Sequence, residues 1–136
     1  MDVWQIAHVL GRLLFSALFL KSAYGHLTDV KGMAGYAKSV GNVPAPEAAV
    51  VGTGVMLLLG GLSVLLGWHP RVGALLIVVF LLPTAFMMHP YWKLTDPMQR
   101  AGDSAGFWKD IALAGAALFI AADPNWPWPL ALGNIF

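Results

Sequence analysis

Four apolar segments, each long enough to cross a lipid bilayer, dominate this chain. They cover about residues 3–24, 48–68, 72–88 and 105–122. A hydrocarbon core of about 30 Å is crossed by a helix of roughly 17–25 apolar residues. Because the bilayer core offers the backbone no water, only helices and closed barrels span it. The sequence therefore predicts an all-α membrane protein, a four transmembrane helix bundle within one integral membrane domain over residues 1–136.

The composition excludes several classes of protein. The chain is 58% hydrophobic and 11% charged, with a mean hydropathy of +0.69, whereas soluble domains carry roughly 25% charged residues. It has no cysteine, which excludes disulfides, cysteine-ligated zinc and iron–sulfur clusters held by this chain alone. A formal charge of +1 argues against nucleic-acid binding. No phosphate loop, nucleophile elbow or zinc-protease motif is present, so any catalysis is expected to need a partner or a bound cofactor.

The connections between the segments suggest an orientation. Residues 25–47 and 89–104 lie on one side of the membrane, which we call the loop side; the other is the terminal side. The loop side carries more lysine and arginine, so the positive-inside rule predicts that loops 1 and 3 are cytoplasmic. Asp2 and Arg12 are atypical of a cleaved signal peptide, so the first helix is expected to be retained. Residues 32–39 predict a short interfacial helix, either resting on lipid or covering a pocket as a lid.

Three ionisable residues interrupt the apolar segments: Arg12, Lys21 and Asp110. A charge at bilayer depth costs about 2.5–3.5 kcal/mol on insertion scales, so it pairs, reaches an interface or serves function. Helical rise places Arg12 roughly 13 Å from the terminal side and Asp110 roughly 7–8 Å from the loop side. Lys21 lies near the level of Asp110. We expect a Lys21–Asp110 pair first and an Arg12–Asp110 pair second, the alternative being that Lys21 only snorkels to water.

Further polar and aromatic residues lie near the loop-side level. They predict a pocket that would hold an amphipathic ligand; a quinone fits this description, and so do a lipid headgroup and a partner protein. The predicted ligand-binding residues are Arg12, Lys21, His26, His89, Trp92, Lys109 and Asp110. The plainer alternatives are that the two histidines only interact with helix C-termini and that Lys109 snorkels. Two histidines without a third ligand at fixed spacing predict no metal site.

Two further patterns concern helix packing. His8, Arg12 and Ser16 share one helix face, because they are spaced at i, i+4 and i+8. This face is expected to point into the bundle, where it either conducts protons or locks helices together. Glycines in the second segment permit close helix approach; they are Gly52, Gly60 and Gly61.

Several motifs, in order along the chain, resemble those of one family of small membrane proteins. Residues 11–27, GRLLFSALFLKSAYGHL, resemble the opening helix of that family, and Leu59-Gly60-Gly61-Leu62 resembles its second helix. His89-Pro90-Tyr91-Trp92 is similar to its His-x-(Phe/Tyr)-Trp motif, and Phe107-Trp108-Lys109-Asp110 resembles the start of its last helix. The family that these motifs resemble is the DoxX family. Many relatives carry a glutamate where this chain has residues 56–59, and an asparagine is common at the position of Asp110.

The resemblance implies a four-helix fold and a link to membrane oxidoreductases, since the family includes small subunits of a thiosulfate:quinone oxidoreductase. The leading hypothesis is a membrane subunit of a quinone-linked oxidoreductase that anchors a partner and lines a quinone pocket. The alternatives are a non-catalytic assembly or chaperone module, and a small lipid-binding or transport protein. The expected partners are the lipid bilayer and either a redox subunit or further copies of the chain. The expected location is a bacterial or archaeal cytoplasmic membrane.

Overall fold

The computed structural model describes residues 1–122 and 128–132, and all regular structure in them is helical. The helices, in chain order, are α1 (Val3–Thr28), α2 (Val30–Gly41), α3 (Pro46–Leu66), α4 (Pro70–Met88), a single 3-10 turn (Tyr91–Lys93) and α5 (Pro97–Ala122). Four of them, α1, α3, α4 and α5, are long and apolar enough to cross a membrane. The predicted all-α, four-helix membrane fold is confirmed. The helix predicted over residues 32–39 is present as the longer α2.

Two boundaries of the membrane-spanning helices differ from those predicted by more than two residues. α1 continues to Thr28, and α5 begins at Pro97 instead of near residue 105. The Asp96 carboxylate accepts the backbone N–H of Gln99 at 2.9 Å, which caps the helix, and proline suits a first turn because its missing N–H needs no partner there. The sequence prediction marked the start of this helix by its hydrophobicity, so the polar first turns were assigned to a loop.

The helices pack in the order α1, α3, α4, α5, each against the next, and α2 lies mainly against α3. Within the described residues, no Cα atom of α1 comes within 8 Å of α5. The two flanking helices therefore leave a groove between them. The largest fully buried apolar side chains are contributed by α1, α3 and α4: Phe19, Leu57, Val64 and Ile77.

Glycines in α3 set how closely its neighbours approach. A Cβ atom on Gly60 would lie 2.9 Å from the carbonyl oxygen of Gly73 in α4, and one on Gly54 would lie 2.9 Å from Cβ of His26 in α1. Gly61 faces Leu20 of α1 at a similar distance. Small residues thus bring three backbones together, as in many membrane bundles. The prediction that Gly52 also serves packing is wrong, because Gly52 is exposed and has open space around it.

The terminal side of the bundle is closed by a helix turn and by the segment 128–132. Gly67 ends α3 with a φ of 64°, a left-handed conformation that glycine adopts without strain. The Ser63 hydroxyl donates to the carbonyl oxygen of Trp68 at 2.6 Å. The Leu132 N–H donates to the carbonyl oxygen of Leu66 at 2.9 Å. Residues 128–132 therefore lie against the end of α3.

The contact at Gly60 predicts an asymmetry between two substitutions in one helix. Gly60→Ala should lower the free energy of unfolding by about 1–3 kcal/mol, because the methyl group meets the α4 backbone. Gly52→Ala is the matched control, and it should be neutral or stabilising by up to about 1 kcal/mol through helix propensity. Reversible unfolding in mixed micelles measures both. Equal effects of the two substitutions would contradict the packing described here.

Candidate functional site

A cavity of about 440 Å³ lies at the loop side, between the transmembrane helices and α2. Its volume falls within the range of small-molecule sites. α2 forms one wall through Met33, Tyr36 and Ala37. Most of the remaining wall is apolar and comes from α3 and α4. The polar residues of the lining are Ser22, His26, Thr53, Thr84, His89, Lys109 and Asp110. The cavity thus has apolar walls and a small set of polar groups.

His26, a buried residue of α1, has a defined tautomer. Its Nδ1 lies 3.0 Å from Oγ1 of Thr53 and 3.3 Å from the carbonyl oxygen of Val50. The Thr53 hydroxyl donates its own proton to the carbonyl oxygen of Ala49 at 2.7 Å, and a carbonyl can only accept. Nδ1 of His26 is therefore the donor, which leaves Nε2 of the neutral ring as a hydrogen-bond acceptor.

His89, immediately after α4, lies between two carboxylates of α5. Its Nδ1 is 3.0 Å from Oδ1 of Asp103, and its Nε2 is 3.7 Å from Oδ2 of Asp110. The two aspartates are seven residues apart and so share one helix face. The exposed fraction of the side chain falls from 20% at Asp103 to 7% at Asp110. We call this arrangement the Asp103–His89–Asp110 chain; it leads from the protein surface to the cavity.

The Asp103–His89–Asp110 chain depends on a glycine in α5. A Cβ atom on Gly106 would lie 2.7 Å from Cε1 of His89, so the imidazole occupies the space that a larger residue would fill. Gly106 lies between Asp103 and Asp110 on the same face of α5. The absence of a side chain at this position therefore allows His89 to contact both carboxylates.

Asp110 is buried and paired, but not with the predicted partners. Its Oδ1 lies 3.7 Å from Nζ of Lys109, whose side chain is 57% exposed, and its Oδ2 faces His89. The expected Lys21–Asp110 pair does not form, because Lys21 is exposed on α1 and α1 does not pack against α5. Helical rise concerns only position along the helix axis, so it did not give the rotation of α1 that turns Lys21 away from Asp110.

Two other predicted site residues lie away from this cavity. The expected Arg12–Asp110 pair is also absent: Nη1 of Arg12 donates to the carbonyl oxygen of Pro129 at 2.7 Å, on the terminal side. Arg12 and Ser16 are buried, so the polar face of α1 points into the bundle as predicted. Trp92 packs against Phe86 and Phe107, with ring centroids 6.3 and 5.7 Å away. It supports the loop that carries His89 and does not line the cavity.

Two residues that orient the histidines of the site were missed by the sequence reasoning: Thr53 and Asp103. Asp103 was assigned to a loop, which hid its helical relation to Asp110. The dipeptide Asp96-Pro97 was the signal that could have revealed it, since it is typical of a helix N-terminus. Across the described ranges, 1–122 and 128–132, no group of three or more His, Asp or Glu residues could hold a metal ion.

The contact between Gly106 and His89 predicts the effect of a single methyl group. Gly106→Ala should displace the imidazole and separate it from Asp103 and Asp110, whereas Gly102→Ala, which meets nothing within 4 Å, should leave it in place. Nitrogen-15 NMR of labelled histidine measures both, because the two ring nitrogens report their hydrogen bonds. His89 resonances that are unchanged in Gly106→Ala would rule out this geometry.

Comparisons with known proteins agree with the resemblance seen in the motifs. The sequence profile of the DoxX family matches residues 7–90. The chain is 29% identical over 118 residues to the inner membrane protein YphA of Escherichia coli strain K12, covering 83% of this chain and 79% of YphA. It is 29% identical over 118 residues to the inner membrane protein YqjF of the same strain, covering 86% and 83%. No solved structure matches the chain significantly.

Proposed function

We propose, from the premise that this chain belongs to the DoxX family, that it is the membrane subunit of a quinone-linked oxidoreductase. Its loop-side cavity would bind the quinone headgroup. The observation that carries the proposal is the convergence of His26, His89 and Asp110 on one cavity with otherwise mainly apolar walls. A ligand with a polar ring and an apolar tail is complementary to such a site.

The residues of the cavity fit the chemistry of a quinone. A bound quinone supplies a couple that exchanges two electrons and two protons, so its site needs hydrogen-bonding groups and a route for protons. Nδ1 of His26 is hydrogen-bonded to α3, and Nε2 is the nitrogen left to accept a proton from the hydroxyl of the reduced quinol form of the ligand. On the opposite wall, Asp110 and His89 hold an exchangeable proton next to the cavity. Asp103 connects them to the surface.

Electrons must come from a partner in this proposal. The chain has no cysteine and carries no nucleotide-binding motif, so its own residues provide no redox centre of those kinds. A redox subunit docked at the loop side would lie near the cavity. The excess of lysine and arginine on that side indicates the cytoplasm, and the relatives named as inner membrane proteins support the cytoplasmic membrane as the location.

Neutralising the buried carboxylate tests the proposal. Asp110→Asn should lower quinone retention and turnover at least about tenfold, since losing a buried charged hydrogen-bonding group costs about 1.5–3 kcal/mol. His26→Gln should act in the same direction, because the amide of glutamine cannot take up a proton as imidazole Nε2 does. Glu47→Gln is the matched control, because Glu47 is an exposed carboxylate on the same side of the membrane. The measurement is the quinone content and quinone-reductase activity of each variant after gentle purification from native membranes into nanodiscs.

The same purification distinguishes the alternatives. Co-purification of a redox protein together with quinone supports the proposal. A stoichiometric partner without quinone would contradict the quinone site and support an assembly module instead. A protein that retains neither partner nor quinone would overturn the subunit proposal. Normal quinone kinetics in Asp110→Asn would show that this cavity takes no part in quinone turnover.

A further inference from the structure

We infer that the chain has a second ligand site, at the terminal side, where the groove between α1 and α5 binds an acidic phospholipid of the surrounding bilayer. The acyl chain would lie in the groove, and the phosphate would bind the guanidinium of Arg12. This inference is independent of the proposed quinone site, because none of the residues lining the groove lines the loop-side cavity.

The groove has a volume of about 660 Å³ and exists because α1 and α5 do not pack against each other. Ala7, Gly11 and Phe15 line it from α1, and Ala116 and Phe119 line it from α5. Small residues on both helices make room for an acyl chain. Phe119 is 74% exposed, as expected of a wall that continues into the lipid.

Arg12 gives the groove its charge. The residue is 8% exposed, and its Nη1 donates to the carbonyl oxygen of Pro129. Its guanidinium carbon lies 5.4 Å from the centre of the Trp128 ring. Nε is buried and has no hydrogen-bond acceptor in the described part of the chain. The two partners described for this buried cation are therefore a neutral carbonyl and an aromatic ring.

A phosphodiester is the ligand group that this arrangement fits best. A buried cation without a counter-charge is costly, and an anion that hydrogen-bonds to it offsets that cost. The planar guanidinium binds phosphate through two parallel N–H donors. The alternative of a carboxylate within the protein is not realised among residues 1–122 and 128–132, where Arg12 takes part in no ion pair.

The position of the guanidinium agrees with a lipid headgroup. Side chains on a helix lean toward its N-terminus, so Arg12 reaches from its backbone toward the terminal-side interface. Trp128 confirms this direction, because its ring contacts both Arg12 and His8, one turn closer to the N-terminus. Trp4 lines the groove near the start of α1 and is 79% exposed, as is typical of a residue at the membrane interface.

Lipid selectivity in the purified protein tests the site. Native mass spectrometry and thermal unfolding would compare phosphatidylglycerol with phosphatidylcholine of identical acyl chains. The wild-type chain should bind phosphatidylglycerol at least about tenfold more tightly and gain thermal stability from it. Arg12→Gln should lose this preference. Lys21→Gln, the loss of an exposed cation on the same helix, should keep it.

A second pair of variants tests the groove without changing any charge. A Cβ atom at Gly11 would meet nothing within 4 Å, and Gly11 lines the groove. Gly11→Leu should therefore fold normally while its side chain fills the groove, lowering phosphatidylglycerol binding at least about tenfold. Gly52→Leu is the control, because Gly52 also has open space but lies on α3, away from the groove. Equal lipid binding by these two variants would overturn the assignment of the acyl chain to the groove.

Two other results would also overturn the inference. If Arg12→Gln lowers stability equally in both lipids and the preference for phosphatidylglycerol persists, Arg12 only holds the segment at Pro129. If inorganic phosphate stabilises the wild-type chain as much as phosphatidylglycerol does, the site binds a free anion and not a lipid.

Discussion

The close approach of α3 to two other helices is the constraint on which the rest of the structure depends. Gly54 and Gly61 bring it against α1, and Gly60 brings it against α4. With α3 and α4 in the middle, α1 and α5 become the flanking helices. The two cavities follow from this order: α2 covers the loop-side cavity, whereas nothing in the described residues brings α1 and α5 together on the terminal side.

The loop-side site shows how buried polar groups acquire fixed roles. His26 is oriented by acceptors on α3, which determine its tautomer, and His89 is oriented by two carboxylates on α5. Both histidines lie beside a glycine: the Cβ atom of His26 contacts the position of Gly54, and the imidazole of His89 occupies the space beside Gly106. Helix packing and site geometry are therefore set by the same residues, so a change in packing also changes the chemistry available to a ligand.

The sequence was sufficient for the four spans and the all-α fold, because hydrophobicity determines them. It was not sufficient to predict which side chains pair with the buried charges. Helical rise predicted that Lys21 and Asp110 lie at similar depths and form a pair. The rotation of α1 and its separation from α5 depend on contacts between helices, which the sequence of one helix does not determine. Asp103 was missed because the polar start of α5 carries no hydrophobic signal. Gly52 was grouped with Gly60, although only contacts with neighbouring helices distinguish them.

The core between the two cavities argues against transport through a single chain. Along α1, Arg12 and Phe15 line the groove, and Ser22 and His26 line the loop-side cavity. Phe19 lies between these pairs and is 2% exposed, as part of the apolar core that includes Leu57. The polar face that begins at His8 therefore ends at an apolar barrier. A proton or solute that crosses at the level of Phe19 would lose all hydrogen bonds to polar side chains, which is costly inside a membrane. Two separate binding sites therefore explain the buried charges better than a continuous path through the bundle.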